Sequence, residues 1–303
     1  MSGYSIVFQS MIKYIDRSSG QVCDEQVYGG KAVSLLYENS FLYHTVLPVL
    51  ARVKMFSWLV GWFQKRSSSR KNIQPFIDAY NINETEFAPA EFTCFNDFFI
   101  RKLKPECRPI VQGSDRLSMP ADGRYLVFPK FDRFFVKGQE FSLSDFLQDP
   151  VLARRFSDGA MVIARLCPVD YHRFHFPCSG IASKPKLING PLYSVNPIAI
   201  KRWVHILSEN KRVVTEVETE NFGTMLYVEI GATAVGTIRQ TFAPETKIEK
   251  GQEKGYFEFG GSCLVLLFEK NRVQFDEDLV RNTQNGFETL CKFGGSLGKS
   301  ASN

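Results

Sequence analysis

Two glycines and a serine interrupt a strongly apolar segment near the C-terminal end of the chain, and they limit how that segment can fold. The tetrad Gly260 to Cys263 follows an alternating apolar stretch and precedes five apolar residues, Leu264 to Phe268. These patterns predict a β-strand on each side. Because glycine allows backbone angles that a side chain forbids, the Ser262 hydroxyl can fold back and attack the preceding peptide bond. A lone Gly-Gly-Ser is more commonly a bulge or a tight turn.

The composition indicates a folded protein with reduced cysteines. A chain of 303 residues with 44% hydrophobic content can bury a large core, as one sizeable domain with an appendage or as two domains. The net charge of +5 is modest and does not indicate a nucleic-acid partner. The seven scattered cysteines contain no C-x-x-C pair, which favours free thiols over a disulfide framework or a zinc ribbon. The N-terminus lacks the pattern of a secretory signal.

The segment from about Lys31 to Phe63 has helical spacing, and Pro48 is predicted to divide one helix from the next. Arg52 and Lys54 interrupt the apolar run, so it is shorter than the roughly 20 residues that a membrane span needs. An apolar, aromatic surface followed at once by basic residues is typical of a helix lying on an anionic leaflet. The aromatic-rich residues are Phe56, Trp58, Leu59, Trp62 and Phe63, and the basic ones are Lys65, Arg66, Arg70 and Lys71. A core-packing helix hairpin with a solvated basic end is the equal alternative.

From about residue 111 the pattern becomes β-like, with one helical insertion near Leu143 to Phe156. The predicted strands include Tyr125 to Phe128, Met161 to Leu166, Met225 to Ile230 and Val235 to Ile238. We therefore expect an α+β fold, in which a β-rich barrel or sandwich core carries N-terminal helices to one side. The expected division is an N-terminal segment, 1–110, with membrane-associating helices, and a β-rich catalytic domain, 111–303. The Gly- and Ser-containing tail from Phe293 to Asn303 is predicted to be disordered.

Two of the four histidines lie close together in a short segment between prolines. His172 and His175 are separated by two residues, and histidine is the side chain best suited to proton transfer near neutral pH. A metal site with Cys167 or Cys178 is one alternative, although the spacing matches none of the common zinc patterns. Burial of both rings in an aromatic core is another. Asp122 by itself indicates only a turn.

A serine, a histidine and an aspartate together supply the elements of an activated hydroxyl nucleophile. Ser262 does not lie in a Gly-x-Ser-x-Gly elbow, and the Gly-Gly peptide before it is itself a good target. This favours self-cleavage between Gly261 and Ser262. Two other classes of function stay open. One is a membrane-bound lipid hydrolase that uses the same three residues and leaves the chain intact, and the other is a non-catalytic membrane-binding β module.

Several further motifs follow one another along the chain. They are Phe95-Asn-Asp-Phe-Phe with Arg101 and Leu103, Pro120-Ala-Asp-Gly123, Asp170-Tyr-His-Arg-Phe-His175 followed by Pro177-Cys178 and Gly180, Leu192-Tyr-Ser-Val-Asn-Pro197, and Val228-Glu-Ile-Gly-Ala-Thr233. With Gly260-Gly-Ser-Cys263, they resemble the pyruvoyl-dependent phosphatidylserine decarboxylase proenzyme family of bacterial type, from about Phe95 to Phe268. The family usually has threonine at the position of Cys263.

The resemblance implies a role for each site residue. The processing triad of the family falls on Asp122, His175 and Ser262, and His172 falls on the histidine that handles substrate during decarboxylation. Attack of Ser262 on the Gly261 carbonyl converts the amide to an ester. Elimination and hydrolysis then leave a covalent pyruvoyl group at position 262, which is the cofactor and the Schiff-base site.

The resemblance also implies a substrate and a location. The reaction converts phosphatidylserine to phosphatidylethanolamine and CO2 without a metal. The active form is a heterodimer of a large chain, 1–261, and a small chain, 262–303, and two such units can associate. The partner is phosphatidylserine in an anionic membrane surface, with the protein bound peripherally on the cytoplasmic side of the cell membrane.

Overall fold

The apolar run that follows Ser262 forms the middle of the largest sheet. The computed structural model describes residues 13–25, 35, 39–52, 54–131, 134–136, 139–196, 199–200, 205–232, 237–260 and 262–301. The helices are α1 Ser40–Arg52, α2 Lys54–Gln64, α3 Ile73–Tyr80, α4 Phe95–Phe99, α5 Leu143–Leu147, α6 Pro150–Arg155, α7 Ile206–Glu209 and α8 Glu277–Gln284. Short 3-10 turns cover Ser67–Asn72, Glu84–Glu86 and Pro105–Cys107.

Two of the described strands lie before residue 25, and the others lie between residues 116 and 300. They are β1 Lys13–Asp16, β2 Val22–Asp24, β3 Arg116–Ser118, β4 Gly123–Phe128, β5 Phe134–Val136, β6 Gln139–Phe141, β7 Ala160–Leu166, β8 Arg173–His175, β9 Gly180–Ala182, β10 Lys186–Ile188, β11 Arg212–Thr219, β12 Thr224–Gly231, β13 Ile238–Gln240, β14 Lys247–Ile248, β15 Glu253–Phe257, β16 Ser262–Phe268, β17 Val273–Phe275, β18 Glu288–Cys291 and β19 Ser296–Ser300.

The main sheet contains eleven of the described strands, in the order β14-β9-β11-β12-β16-β7-β4-β18-β1-β2, with β10 also paired to β11. Its pairs are antiparallel except β1 with β18, which is parallel. The smaller sheets are β13-β15-β8, β17-β19-β3 and β5-β6. The expected α+β class is confirmed. In the part of the chain that the structure describes, the main sheet stays open and does not close into a barrel.

The central strands of the main sheet are buried on both faces, which explains why β16 is apolar at every position after Cys263. Cys263, Val265 and Leu267 pack into one core cluster. The alternate residues Leu264 and Leu266 pack into a second cluster on the other face. A strand that is buried on both faces has a continuous apolar run instead of an alternating pattern, and each fully buried leucine contributes roughly 1.5–3 kcal/mol.

Most of the predicted elements are confirmed. The predicted strands at 125–128, 161–166 and 225–230 are β4, β7 and β12, and the helical insertion is α5 with α6. The strand predicted at 235–238 overlaps β13 only at Ile238, and residues 233–236 lie outside the described part of the chain.

Two predictions about local structure are wrong. Helix α1 continues through Pro48. Proline cannot donate a backbone hydrogen bond, but a helix can lose one such bond and still continue. The tail is not disordered over 296–300, since β19 lies between β17 and β3. A Cβ atom at Gly298 would approach the Gln274 carbonyl oxygen to 2.4 Å, so this glycine permits close packing of strands.

The part of the chain before residue 110 contacts the part after it through strand pairing, core packing and ion pairs. Strand β1 pairs with β18, with Tyr14 opposite Glu288. A third core cluster joins α3 and α4 to Phe259, just before the Gly-Gly pair. The division at residue 110 stays a prediction. Among the described residues, no helix has the length and apolar character that a membrane crossing requires.

Candidate active site

Ser262 is the first residue of β16, and its side chain is completely buried. It lies opposite Gly231 on β12 and Leu166 on β7, so strand pairing fixes its backbone from both sides. Gly260 has a φ angle of 135°, a conformation that is strained for any residue with a Cβ atom. Gly261, on the other side of the predicted cleavage bond, lies outside the described residues.

The Ser262 hydroxyl faces His172. Its Oγ lies 3.4 Å from His172 Nδ1, and His172 Nε2 lies 2.9 Å from the carbonyl oxygen of Cys167. Because a carbonyl oxygen can only accept a hydrogen bond, Nε2 carries the proton and Nδ1 is left as the acceptor for the serine hydroxyl. The ring of Phe99 stacks on the imidazole with centroids 3.9 Å apart, which holds its orientation.

Burial keeps His172 neutral. Desolvation lowers the pKa of His172 to about 3; the bond to the Cys167 carbonyl opposes this shift, and the Arg101 cation adds to it. A neutral imidazole with a free Nδ1 can accept a proton from Ser262 at pH 7. A pKa this far below 7 also makes the imidazole a weak base, so proton transfer from Ser262 depends on the direct contact between the two groups.

Helix α4 holds the segment before the serine as well as the histidine. The backbone N–H of Phe259 donates to Asn96 Oδ1 at 3.0 Å. The Phe259 ring packs edge-on against Phe95 and Phe99, with centroids 5.4 and 5.1 Å away. Phe99 therefore contacts both His172 and the residue three positions before Ser262.

His175 lies on β8 and contacts aromatic rings. Its imidazole stacks on Phe293 with centroids 3.7 Å apart, and its backbone N–H donates to the Pro120 carbonyl at 2.8 Å. Its Nδ1 is buried and has no hydrogen-bond partner among the described residues. Burial lowers the pKa of His175 to about 3, and the nearby Arg173 cation acts in the same direction. This histidine is neutral at pH 7 as well.

Asp122 is bound by an arginine and a backbone amide. Arg108 Nε donates to Asp122 Oδ1 at 3.0 Å and Arg108 Nη2 donates to Oδ2 at 2.6 Å, while the Phe293 N–H donates to Oδ1 at 2.8 Å. Arg108 also pairs with Glu86 at 2.8 Å. Within the described chain, no hydrogen bond joins Asp122 to His175, although both contact Phe293. The structure brings Ser262 to His172, and the predicted triad roles stay predictions.

A buried network of charges supports the turn that orients His172. The Cys167 backbone N–H donates to Asp170 Oδ2 at 2.7 Å, and Asp170 in turn pairs with Arg124. Arg165 bridges two carboxylates, with 2.7 Å to Glu25 and 2.6 Å to Glu288. These buried pairs hold the 167–170 turn, so the Cys167 carbonyl is fixed where it accepts from His172.

Sequence reasoning did not assign four residues that shape this site. Asn96 and Phe99 belong to the Phe95-Asn-Asp-Phe-Phe motif, but the motif by itself does not indicate that they hold Phe259 and His172. Nothing in the local sequence marks Arg108 as a partner of Asp122, and Phe293, whose partner Asp122 lies 171 residues away, begins the tail that is predicted to be disordered. Among the described residues, no group of three histidine, cysteine or acidic side chains is arranged to hold a metal ion.

The predicted membrane-facing residues of α2 form an exposed aromatic surface. Trp58 is 63% exposed and Phe63 is 57% exposed, and Trp62 stacks against Trp58 with centroids 6.4 Å apart. Leu59 is also exposed. The Phe56 side chain lies outside the described part of the structure.

The basic residues after α2 are not equivalent. The Arg66 guanidinium lies over the Trp62 ring at 4.4 Å. Lys65 pairs with Glu258 at 2.7 Å, so this lysine links the end of α2 to the segment before Ser262. Arg70 and Lys71 are exposed.

Comparison with known proteins identifies the family of the chain. A family model described as phosphatidylserine decarboxylase matches residues 95–299. The chain is 50% identical over 291 residues to a protein of Chlamydia muridarum (strain MoPn / Nigg) named phosphatidylserine decarboxylase proenzyme, covering 94% of this chain and 96% of that relative. A protein of Chlamydia pneumoniae with the same name is 48% identical over 293 residues, covering 95% of this chain and 97% of the relative. The chain therefore belongs to the phosphatidylserine decarboxylase family.

Proposed function

We propose that this protein decarboxylates phosphatidylserine to phosphatidylethanolamine, after cleaving itself between Gly261 and Ser262 to leave a pyruvoyl group at position 262. The observation that carries the proposal is the buried Ser262 hydroxyl facing the acceptor nitrogen of His172 at 3.4 Å, in a chain whose relatives bear the decarboxylase name. A buried hydroxyl beside a neutral imidazole has the arrangement of an activated nucleophile.

The residues present fit a pyruvoyl group at this position. The group is made from the serine itself, so it needs no separate binding site, and strand pairing to Gly231 and Leu166 already fixes residue 262. Its chemistry is that of an electron sink, which stabilises the charge left on the substrate when CO2 departs. The surrounding burial excludes water from that centre.

The two histidines divide the proton transfers in this proposal. His172 contacts position 262, so it holds or returns a proton there during decarboxylation, with its ring oriented by Phe99 and by the Cys167 carbonyl. His175 and Asp122 serve self-cleavage, as the family triad implies. The Ser262–His172 contact favours a second assignment, in which His172 is also the base for cleavage.

The two chains stay together after cleavage in this proposal. The small chain, 262–303, contributes β16, which lies between β12 and β7 of the large chain, 1–261. It also contributes β18, which pairs with β4 and β1. Separation would expose the apolar residues of β16 on both faces, so the proposed active unit is a heterodimer, and two such units can associate further.

The exposed aromatic face of α2 provides a route to a lipid substrate. Trp58, Trp62 and Phe63 are suited to the interface of a bilayer, and Arg70 and Lys71 lie where they can meet anionic headgroups. We infer peripheral binding to the cytoplasmic side of an anionic membrane that contains phosphatidylserine.

Intact-protein mass spectrometry combined with a CO2-release assay tests the proposal. Freshly purified protein should contain two fragments, residues 1–261 and 262–303, with the N-terminus of the shorter one blocked, and it should release CO2 from phosphatidylserine. Ser262→Ala should give one folded chain without activity. An active, uncleaved chain of 34.5 kDa would instead support the lipid hydrolase or another mechanism.

A further inference from the structure

Arg101 is a buried cation whose hydrogen-bond partners are all neutral. It is 5% exposed, and its guanidinium donates to the carbonyl oxygens of Phe98, Val169 and Asp170 at 3.3–3.4 Å. Its Nε–H is buried without a hydrogen-bond partner among the described residues. No carboxylate of the described chain lies within ion-pair distance of it. Desolvation lowers the pKa of Arg101 to about 10, so it still carries its charge at pH 7.

The other buried arginines of the described chain are better satisfied. Four of them pair with carboxylates, namely Arg108, Arg124, Arg165 and Arg173. Arg212 also binds only carbonyl oxygens, but its three bonds are 2.6–2.9 Å long. The Arg124 Nε–H also lacks a hydrogen-bond partner, but it lies 3.6 Å from Glu25; Arg101 combines longer bonds and an unpaired N–H with the absence of an ion pair among the described residues. The charges of Asp122 and Asp170 act on Arg101 only at longer range than an ion pair. A buried ion without a paired counter-charge is costly to retain, and beside a reactive centre it is a candidate for binding an opposite charge.

Arg101 lies beside the reactive centre. Its carbonyl partners Val169 and Asp170 belong to the turn that leads directly into His172. Its guanidinium stacks over the Phe98 ring at 4.8 Å, and the next residue, Phe99, stacks on His172. The cation also contributes to the electrostatic environment of His172. Arg101 is thus connected, through the 169–170 turn and through Phe99, to the histidine that contacts Ser262.

We propose that Arg101 binds an oxyanion of the substrate headgroup and so contributes to headgroup specificity. This inference rests on the proposed function. Phosphatidylserine offers two such anions, the carboxylate on the reacting carbon and the phosphodiester. The forked guanidinium can bind either one through two N–H groups, one of them the unpaired Nε–H.

The test measures headgroup binding apart from turnover. The processed enzyme is treated with borohydride, which reduces the pyruvoyl carbonyl, and calorimetry then measures the affinity for glycerophosphoserine and for glycerophosphoethanolamine. Arg101→Met removes the positive charge and keeps an unbranched side chain. Arg212→Met removes a buried charge whose partners are the carbonyl groups of Asp145, Phe146 and Asn210, and it is the matched control. Loss of a charged hydrogen bond should weaken binding on the order of 10- to 100-fold.

The pattern across the two probes identifies the anion. Weakening of glycerophosphoserine alone assigns the carboxylate to Arg101, and equal weakening of both probes assigns the phosphodiester. Unchanged affinities in Arg101→Met, with a normal melting temperature and normal self-cleavage, would overturn the inference. So would the absence of binding of either headgroup to the wild type at millimolar concentration.

Two controls keep the result interpretable. If Arg101→Met does not fold, Arg101→Lys replaces it, because lysine retains the charge but not the forked geometry. Arg101→Lys should weaken headgroup binding at least several-fold. Unchanged binding in this variant would contradict the inference. Failure of the proposed function gives a different result, since the wild type itself would then remain uncleaved or release no CO2.

Discussion

The ring of Phe293 stacks on the ring of His175 with centroids 3.7 Å apart and planes inclined by 13°. The same phenylalanine donates its backbone N–H to Asp122 at 2.8 Å. Phe293 belongs to the proposed small chain, whereas His175 and Asp122 belong to the proposed large chain. A residue beyond the cleavage bond therefore helps to build the site.

We expect the two fragments to remain one particle after cleavage. Strand β16 is hydrogen-bonded on both sides by the large chain, and its side chains are buried on both faces. Size-exclusion chromatography in native buffer should elute both fragments together, and they should separate only in denaturant. The uncleaved Ser262→Ala chain provides the reference elution volume. Elution of the small fragment alone in native buffer would contradict this prediction.

Replacing each histidine should separate the two reactions. His175→Ala should block self-cleavage, while His172→Ala should permit cleavage and reduce decarboxylation by about 10²- to 10⁴-fold, the usual contribution of general acid–base catalysis. A denaturing gel measures cleavage, and CO2 release measures turnover. Loss of cleavage in His172→Ala with normal cleavage in His175→Ala would assign the base to the histidine that contacts Ser262.

The two buried histidines should make the fold less stable in mild acid. Burial lowers the pKa of each to about 3, whereas an unfolded histidine titrates near 6.5. Between these values the unfolded state binds more protons, so stability is full above pH 6.5 and falls as the pH decreases toward 3. Each histidine contributes a slope of up to about 1.4 kcal/mol per pH unit.

Urea unfolding of the Ser262→Ala chain between pH 4.5 and 7 measures that slope. His175→Phe in the same background should remove one histidine's contribution to the slope, because a ring that cannot bind a proton then stacks on Phe293. An unchanged slope in this variant would mean that His175 is already accessible to protons in the folded state.

The pair between Arg108 and Asp122 should act as a unit. Arg108→Met leaves a buried carboxylate without its cation and should cost about 3–5 kcal/mol of stability. The double variant Arg108→Met/Asp122→Asn should recover part of that loss, because neither charge remains. The free energy of unfolding, measured in the Ser262→Ala background, forms a double-mutant cycle. Additive losses would show that the two side chains do not interact.

The basic residues after α2 should support binding to acidic membranes. Replacing Lys65, Arg66, Arg70 and Lys71 by Gln should remove attraction of on the order of 1 kcal/mol per residue, and added salt should weaken binding of the wild type. Self-cleavage should not change. Liposome co-sedimentation at low and high salt is the measurement, and a variant with Gln at the exposed Arg154, Lys184, Lys186 and Lys270 is the matched control. Equal pelleting of all three proteins would exclude this surface as the membrane-binding site.

The structure suggests that the four basic residues contribute unequally. Lys65 pairs with Glu258, and Arg66 lies over Trp62, so both already have partners within the chain. Arg70→Gln/Lys71→Gln should therefore account for most of the loss in the quadruple variant. A double variant that binds like the wild type would show that Lys65 and Arg66 exchange their partners for lipid.

The sequence by itself determined the local elements and the candidate chemistry. The run from Leu264 to Phe268 predicted a buried strand, because strand periodicity depends only on neighbouring residues. The concentration of His172 and His175 and the tetrad Gly260 to Cys263 likewise indicated a reactive serine without any tertiary information. The α+β class followed from the same local patterns.

Only the tertiary structure decided which groups meet. Ser262 and His172 are 90 residues apart, and their contact depends on the order and register of strands in the sheets. The same holds for Phe293 on His175 and for Arg108 on Asp122. Local patterns also misjudged the tail, where Gly298 provides close strand packing and not flexibility. Contacts between distant residues arise from the packing of whole sheets, which no short stretch of sequence encodes.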